Sequence, residues 1–188
     1  MENLAYTDPP VTELIEGKVY LMSPRPRAKH NFIAANIFRI FGNYLEGKTC
    51  RAIMDGMDLF LDHENRYVPD AMIVCDRSKI KDDGVHGAPD LVVEVLSPST
   101  GAHDRGAKMR HYEAAGVREY WIVSPLAKSV EVYFNQNGHF ELDMMYTEYE
   151  EWDLERMTDE ERKAIKTEIP VSLYDSFRVR IADVFRDI

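Results

Sequence analysis

Two carboxylates in this sequence stand where carboxylates are costly. Asp70 follows Val68-Pro69 and opens the run Ala71-Met72-Ile73-Val74. Glu94 lies inside Leu91-Val92-Val93-Glu94-Val95-Leu96, a run introduced by Ala88-Pro89-Asp90. Apolar, β-branched runs of this kind read as buried strands. A carboxylate within one needs a partner or a metal ion. Lys108 follows, on a segment with helical spacing. Two carboxylates and a lysine brought together in this way are the components of metal-assisted phosphodiester hydrolysis.

Strand geometry separates the candidates. Asp90 and Glu94 face the same side of one strand, but four residues at ~3.3 Å each put them ~13 Å apart. Asp70 and Glu94 sit on different strands, which are only ~4.8 Å apart if adjacent. That pair can chelate one hard cation, and Mg²⁺ is satisfied by one or two carboxylates plus waters and substrate phosphate. Asp90 is left for the loop or an auxiliary contact. Lys108, in line with Tyr112 and Ala115, forms an inward stripe and can stabilise developing charge or orient the water. Plainer readings stand beside these. A Pro-Asp pair is common turn chemistry, Glu94 could simply form a buried ion pair with Lys108, and His30 could be a surface or capping histidine. Ser97 and Ser99 end a strand. Neither a GxSxG elbow nor a Gly-rich phosphate loop occurs.

Several elements must position these groups. Glu13 to Glu16 reads as a short helical turn, followed by a strand at Lys18–Met22 and a proline loop at Ser23–Arg27. Phe32, Ile33, Ile37, Ile40, Phe41 and Leu45 recur at helical spacing, so a helix is expected from about Lys29 to Glu46. Arg51–Met54 is a strand. Met57–Leu61 and Tyr67–Cys75 are expected to pair as a hairpin, and Asp76–Gly87 to be a loop. Leu91–Leu96, apolar on both faces, belongs at the sheet centre. A helix is expected from an N-cap at Asp104 to Ala115, then a strand at Glu119–Val123 and a hairpin, Val130–Phe134 with His139–Leu142. Thr158-Asp159-Glu160-Glu161 matches a capping box, and Pro170–Val184 returns to the core.

The 188 residues are 45 % hydrophobic, which suits one folded domain, 1–188, with an acidic insertion at about 146–168. No apolar run nears the ~20 residues of a membrane span, and the N-terminus lacks signal-peptide character. A cytoplasmic location is expected. Cys50 and Cys75 form no CxxC and read as free buried thiols in a reducing compartment. The net charge of −10 argues against phosphate binding, but residues 141–188 hold 14 of the 33 acidic and only 7 of the 23 basic residues. Arg25, Arg27, Lys29, Arg105 and Arg110 flank the proposed site and are the expected nucleic-acid-binding face, with the acidic tail kept away from it.

These residues resemble a known family. The matching stretches are Glu13-Leu14-Ile15-Glu16-Gly17-Lys18, Met22-Ser23-Pro24 with His30, Pro69-Asp70, and Gly87-Ala88-Pro89-Asp90 through Val93-Glu94-Val95-Leu96-Ser97-Pro98-Ser99-Thr100. They continue in Asp104, Lys108, Tyr112, Gly116-Val117 and Glu119-Tyr120-Trp121-Ile122-Val123. Together they resemble the restriction endonuclease family of the Uma-two type, a branch of the PD-(D/E)xK nuclease superfamily. The resemblance implies an α/β, restriction-endonuclease-like fold: a mixed β-sheet flanked by helices. It implies Asp70 and Glu94 as ligands of Mg²⁺ (or Mn²⁺), with Glu16, His30 and Asp90 as auxiliary positions. The superfamily's usual lysine, two residues after the acid, is Leu96 here, and its role passes to Lys108. The expected activity is endonucleolytic cleavage of DNA, with RNA and a homodimer left open. The alternative is a catalytically inactive nuclease-fold module that binds nucleic acid or protein.

Overall fold

The computed structural model describes residues 12–21, 27–98 and 101–188. It begins with a hairpin, β1 (Thr12–Ile15) and β2 (Lys18–Leu21). The expected helical turn at Glu13–Glu16 is therefore a strand. Glu16 and Gly17 both have positive φ, 52° and 72°, which closes a two-residue turn and turns Glu13 inward with Ile15. Helix α1 (Ala28–Leu45) follows, within two residues of its expected bounds, burying Ile33, Ile37, Phe41 and Leu45 on one stripe.

Next come β3 (Arg51–Met54), β4 (Leu59–Phe60), β5 (Arg66–Tyr67) and β6 (Ala71–Val74). The expected hairpin survives only as β4 against β5. The single strand expected from Tyr67 to Cys75 is broken at Val68-Pro69-Asp70, because Pro69 has no N–H to donate to a ladder. Here the chain passes from one sheet to another. The stretch expected as a loop contains β7 (Ile80–Lys81) and β8 (Gly84–His86), strands too short to show a pattern among turn residues. β9 (Leu91–Val95) is buried at every position. A helical segment then runs as α2 (Gly101–His103), a π turn (Asp104–Lys108) and α3 (Met109–Ala115). Asp104 is thus inside the helix and wholly buried rather than its N-cap. β10 (Glu119–Ser124), β11 (Ser129–Gln136) and β12 (His139–Thr147) complete a meander. The acidic stretch forms α4 (Glu151–Arg156) and α5 (Asp159–Ala164), the latter with the expected capping box at Thr158 and Glu161. β13 (Glu168–Pro170), β14 (Arg178–Arg180) and α6 (Ile181–Val184) end the chain.

Among the described residues the strands form two six-stranded sheets and a two-stranded ribbon. The central sheet runs β12-β11-β10-β9-β6-β3, with β9 and β10 parallel and its other pairs antiparallel. One face packs on α1 and on the C-terminal residues Ile169, Phe177, Val179 and Ile181. Glu119, fully buried on that face, accepts from Trp121 Nε1 (2.6 Å) and from the Ser172 N–H (2.8 Å) and hydroxyl (2.6 Å). Those bonds fasten the C-terminal segment to the sheet. The other face carries Met72, Val92, Tyr120 and Ile122 against Ile15, Leu59, Tyr67 and Val85 of the second sheet and Tyr112 of α3. The second sheet runs β2-β1-β5-β4-β8-β7.

Cys50 and Cys75 are joined in a disulfide, which corrects the expectation of free thiols. The β3–β6 ladder pairs Arg51 with Val74, and one step further brings the two cysteines face to face. A sequence separation of 25 gives no hint of that cross-strand contact.

Gly84 fixes the second sheet. Its φ is +148°, and a Cβ there would lie 2.3 Å from the Asp58 carbonyl oxygen, which accepts the Val85 N–H at 2.8 Å. Gly84→Ala is expected to cost ~3 kcal/mol in urea unfolding. A loss below ~0.5 kcal/mol, the range of an ordinary surface substitution, would show that β8 can move away from Asp58.

Candidate active site

The crossing at Val68-Pro69-Asp70 places Asp70 at the seam between the sheets. The antiparallel ladder pairs Ala71 with Val93. Continued by one residue, it sets Asp70 beside Glu94 on the same face, at the spacing of neighbouring strands. Asp70 Oδ2 accepts the Val95 N–H at 2.7 Å, and Oδ1 lies 3.3 Å from His30 Nε2. On its other side the Asp70 carbonyl accepts the Asp55 N–H at 3.0 Å. Asp55, at the end of β3, has its carboxyl pushed up by partial burial and by the Asp70 charge.

Glu94 is buried, and Oε1 accepts from the Tyr112 hydroxyl (2.7 Å) and from Lys108 Nζ (3.2 Å). Lys108 is 1 % exposed. Its ammonium lies 2.8 Å from Glu13 Oε1, 3.2 Å from Glu94 Oε1 and 3.4 Å from Asp104 Oδ1. Asp104 and Lys108 both point inward from the π turn, because residues four apart share one face of a helical segment. Burial would lower the Lys108 pKa, but the charges of Glu94, Glu13 and Asp104 outweigh it and hold the ammonium protonated. Glu94 is raised well above the usual carboxylate range, first by burial and then by the charges of Asp104, Asp70 and Glu13, against the opposing effect of Lys108. The pocket therefore gathers more carboxylate than ammonium. A divalent cation between Asp70 and Glu94 would relieve that excess, so the donor set fits a hard metal ion. Among the described residues no group of three or more His, Cys, Asp or Glu side chains forms a ready-made metal cage. Water and substrate oxygens would complete the coordination.

The structure brings Asp70, Glu94, Lys108 and His30 together. It does not bring Asp90 to them: Oδ2 accepts the Cys75 N–H at 2.8 Å and Oδ1 lies 3.7 Å from Arg118, at the other end of β9. Glu16 is on the rim, 3.6 Å from His111 Nε2 and 3.9 Å from Arg110. Arg27 and Lys29 are exposed at the start of α1. Arg105 makes a bidentate pair with Glu131, both contacts at 2.6 Å. Arg25 lies outside the described residues. Sequence reasoning missed Glu13, Asp55 and Asp104 as neighbours of the site. The signal for Glu13 was its alternation with Ile15 ahead of a Glu-Gly turn, a period of two.

The sequence profile of the Uma2 family, described as "Putative restriction endonuclease", matches residues 2–165. The chain belongs to this family. Two uncharacterized Synechocystis proteins are similar to this Uma2 member. One is 32 % identical over 129 residues, covering 67 % of each chain; the other is 25 % identical over 126 residues, 65 % of this chain and 71 % of its own. Among solved structures, the fold resembles the crystal structure of a "putative nuclease belonging to DUF820" from Anabaena variabilis. The TM-score is 0.69 at 22 % identity, over 94 % of this chain and 90 % of that one. The α/β, nuclease-type fold expected from the sequence is the fold observed. Among the described residues no helix is long and apolar enough to cross a membrane.

His30 offers a test of this geometry. Burial lowers its pKa, but the hydrogen bond and charge of Asp70 prevail and raise it above the ordinary 6.5. A raised histidine contributes stability that is fully present below 6.5 and is lost as pH rises through the folded pKa. In metal-free protein, the His30 imidazole followed by NMR should titrate above 6.5, and Asp70→Asn should bring it down. An unchanged midpoint in Asp70→Asn would separate the two side chains.

Proposed function

We propose that the protein is an endonuclease that hydrolyses DNA phosphodiester bonds with Mg²⁺ or Mn²⁺. The observation that carries this reading is Asp70 beside Glu94 on adjacent strands, with the Lys108 ammonium 3.2 Å from Glu94. Family membership supports the same activity. Bound to Asp70 and Glu94, the cation would supply Lewis acidity and a water of lowered pKa. Asp70 is oriented for that role by the Val95 N–H, and Glu94 by the Tyr112 hydroxyl. Lys108, kept charged by its carboxylates, favours the negative charge that develops on the phosphoryl oxygens. His30 braces Asp70 from the start of α1, where Arg27 and Lys29 offer charge to the DNA backbone. Arg105 contributes less, because Glu131 already neutralises it. A second reading, an inactive nuclease-fold binding module, is favoured by Leu96 in the superfamily's lysine position and by the net charge of −10.

Cleavage of supercoiled plasmid and of single-stranded DNA, with Mg²⁺, Mn²⁺ or EDTA, tests both. The nuclease should cut with either metal and stop in EDTA. Asp70→Asn, Glu94→Gln and Lys108→Met should each lower the rate more than ~100-fold. Lys108→Met also leaves buried carboxylates without their cation, at a cost of ~3–5 kcal/mol, so its folding is checked by circular dichroism at the assay temperature. DNA binding without metal-dependent cleavage would favour the inactive module.

A further inference from the structure

We propose that Glu13 is a positioning residue for Lys108, holding the ammonium so that Glu94 can serve a divalent cation. This inference rests on the metal-dependent reading above.

Glu94 cannot fully serve both roles at once. An ammonium 3.2 Å from its Oε1 repels a dication bound to the same carboxylate. Glu13 provides the alternative seat. It is the nearest of the three carboxylates around Lys108, at 2.8 Å against 3.2 Å for Glu94 and 3.4 Å for Asp104. It reaches the lysine from β1 in the second sheet, away from the Asp70–Glu94 pairing in the central sheet. The charges then fall into two groups. Glu13 and Asp104 keep Lys108 on one side, and Asp70 and Glu94 together match the charge of a dication on the other. Without Glu13, Lys108 is left to Glu94 and Asp104, and the cation must displace an ammonium from its own ligand.

Glu13 also ties the lysine to the other metal-binding residue. The same Oε1 accepts the Val68 N–H at 3.2 Å, two residues before Asp70. That bond anchors the sheet crossing, so Lys108 and the Asp70 segment are positioned from one carboxylate. Glutamine at this position keeps a carbonyl oxygen for the Val68 N–H and loses only the charge that holds Lys108.

A double-mutant cycle in metal binding tests this. Mn²⁺ affinity is measured by calorimetry and by electron paramagnetic resonance on the wild type, Glu13→Gln, Lys108→Met and the double variant, with thermal melts to establish folding. Glu13→Gln should weaken Mn²⁺ about tenfold. Lys108→Met alone should change it by less than about threefold, because the ammonium already rests on Glu13. The double variant should return close to wild-type affinity. Should Glu13→Gln fail to fold, Glu13→Asp keeps the charge at shorter reach; it should weaken Mn²⁺ less, with the same recovery on adding Lys108→Met. Unchanged affinity in Glu13→Gln overturns the proposal. So does a loss that Lys108→Met does not restore, which would make Glu13 a ligand or a purely structural group. Additive effects overturn it too, reducing Glu13 to a remote charge. If the wild type binds no Mn²⁺, or Asp70→Ala leaves its affinity unchanged, the metal-dependent reading itself has failed.

Discussion

A fully buried ammonium organises this molecule. Lys108 cannot be taken out of water without counter-charges at contact distance, and those charges come from separate parts of the chain. Glu13 is on the first strand, Glu94 in the middle of the central sheet, and Asp104 one turn back on the lysine's own helical segment. The two sheets and that segment must therefore assemble together. Around the charges lies an aromatic wall: the Tyr67 ring is 5.7 Å from the ammonium, Tyr112 donates to Glu94, and the Tyr120 hydroxyl donates to the Asp104 carbonyl. These phenols are held protonated by burial, so they act as donors and add no further negative charge.

Apolar packing supplies the frame. Each face of the central sheet has its own hydrophobic cluster, one under α1 and one under the second sheet. Apart from Glu119 and Ser129, the buried charged and polar residues gather around the seam where the chain leaves the second sheet for the central one. Pro69 makes that transfer local, because a ladder cannot continue through it. Asp70 emerges immediately before β6 with its carboxylate directed at the β9 backbone rather than at solvent. His30 reaches the same point from the far side of the sheet, because α1 begins at that end.

The sequence made some of this legible and hid the rest, for identifiable reasons. Glu94 stood out because its neighbours are uniformly apolar, and β9 is indeed central and buried. Asp70 could be placed beside it because both runs were strong strand signals of similar length. The long helix α1 was plain from its four-residue spacing. Glu13 was hidden because β1 is only four residues long, and Glu13 and Glu16, three residues apart around Leu14-Ile15, mimic a helical turn. Asp104 was misread because an aspartate ahead of apolar helical positions usually caps, and no local pattern announces a π turn. β7 and β8 disappeared into turn-rich sequence. The Cys50–Cys75 bond depends on strand register, which no count of cysteines reveals.

That π turn has a consequence for how the sequence can vary in length. A π turn is in effect one additional residue accommodated within an α-helix. Removing one residue between Asp104 and Lys108 would restore regular winding, and each α-helical residue turns the chain by about 100°. The π turn already absorbs about that angle, so α2 and α3 would keep nearly the same phase after such a deletion, whereas a deletion within α3 would turn its remainder by about 100°. Asp104 and Lys108 would pass from a spacing of four residues to one of three, which still shares one helix face. The π turn is thus the place in this segment where the chain can lose one residue with the least change of helical phase.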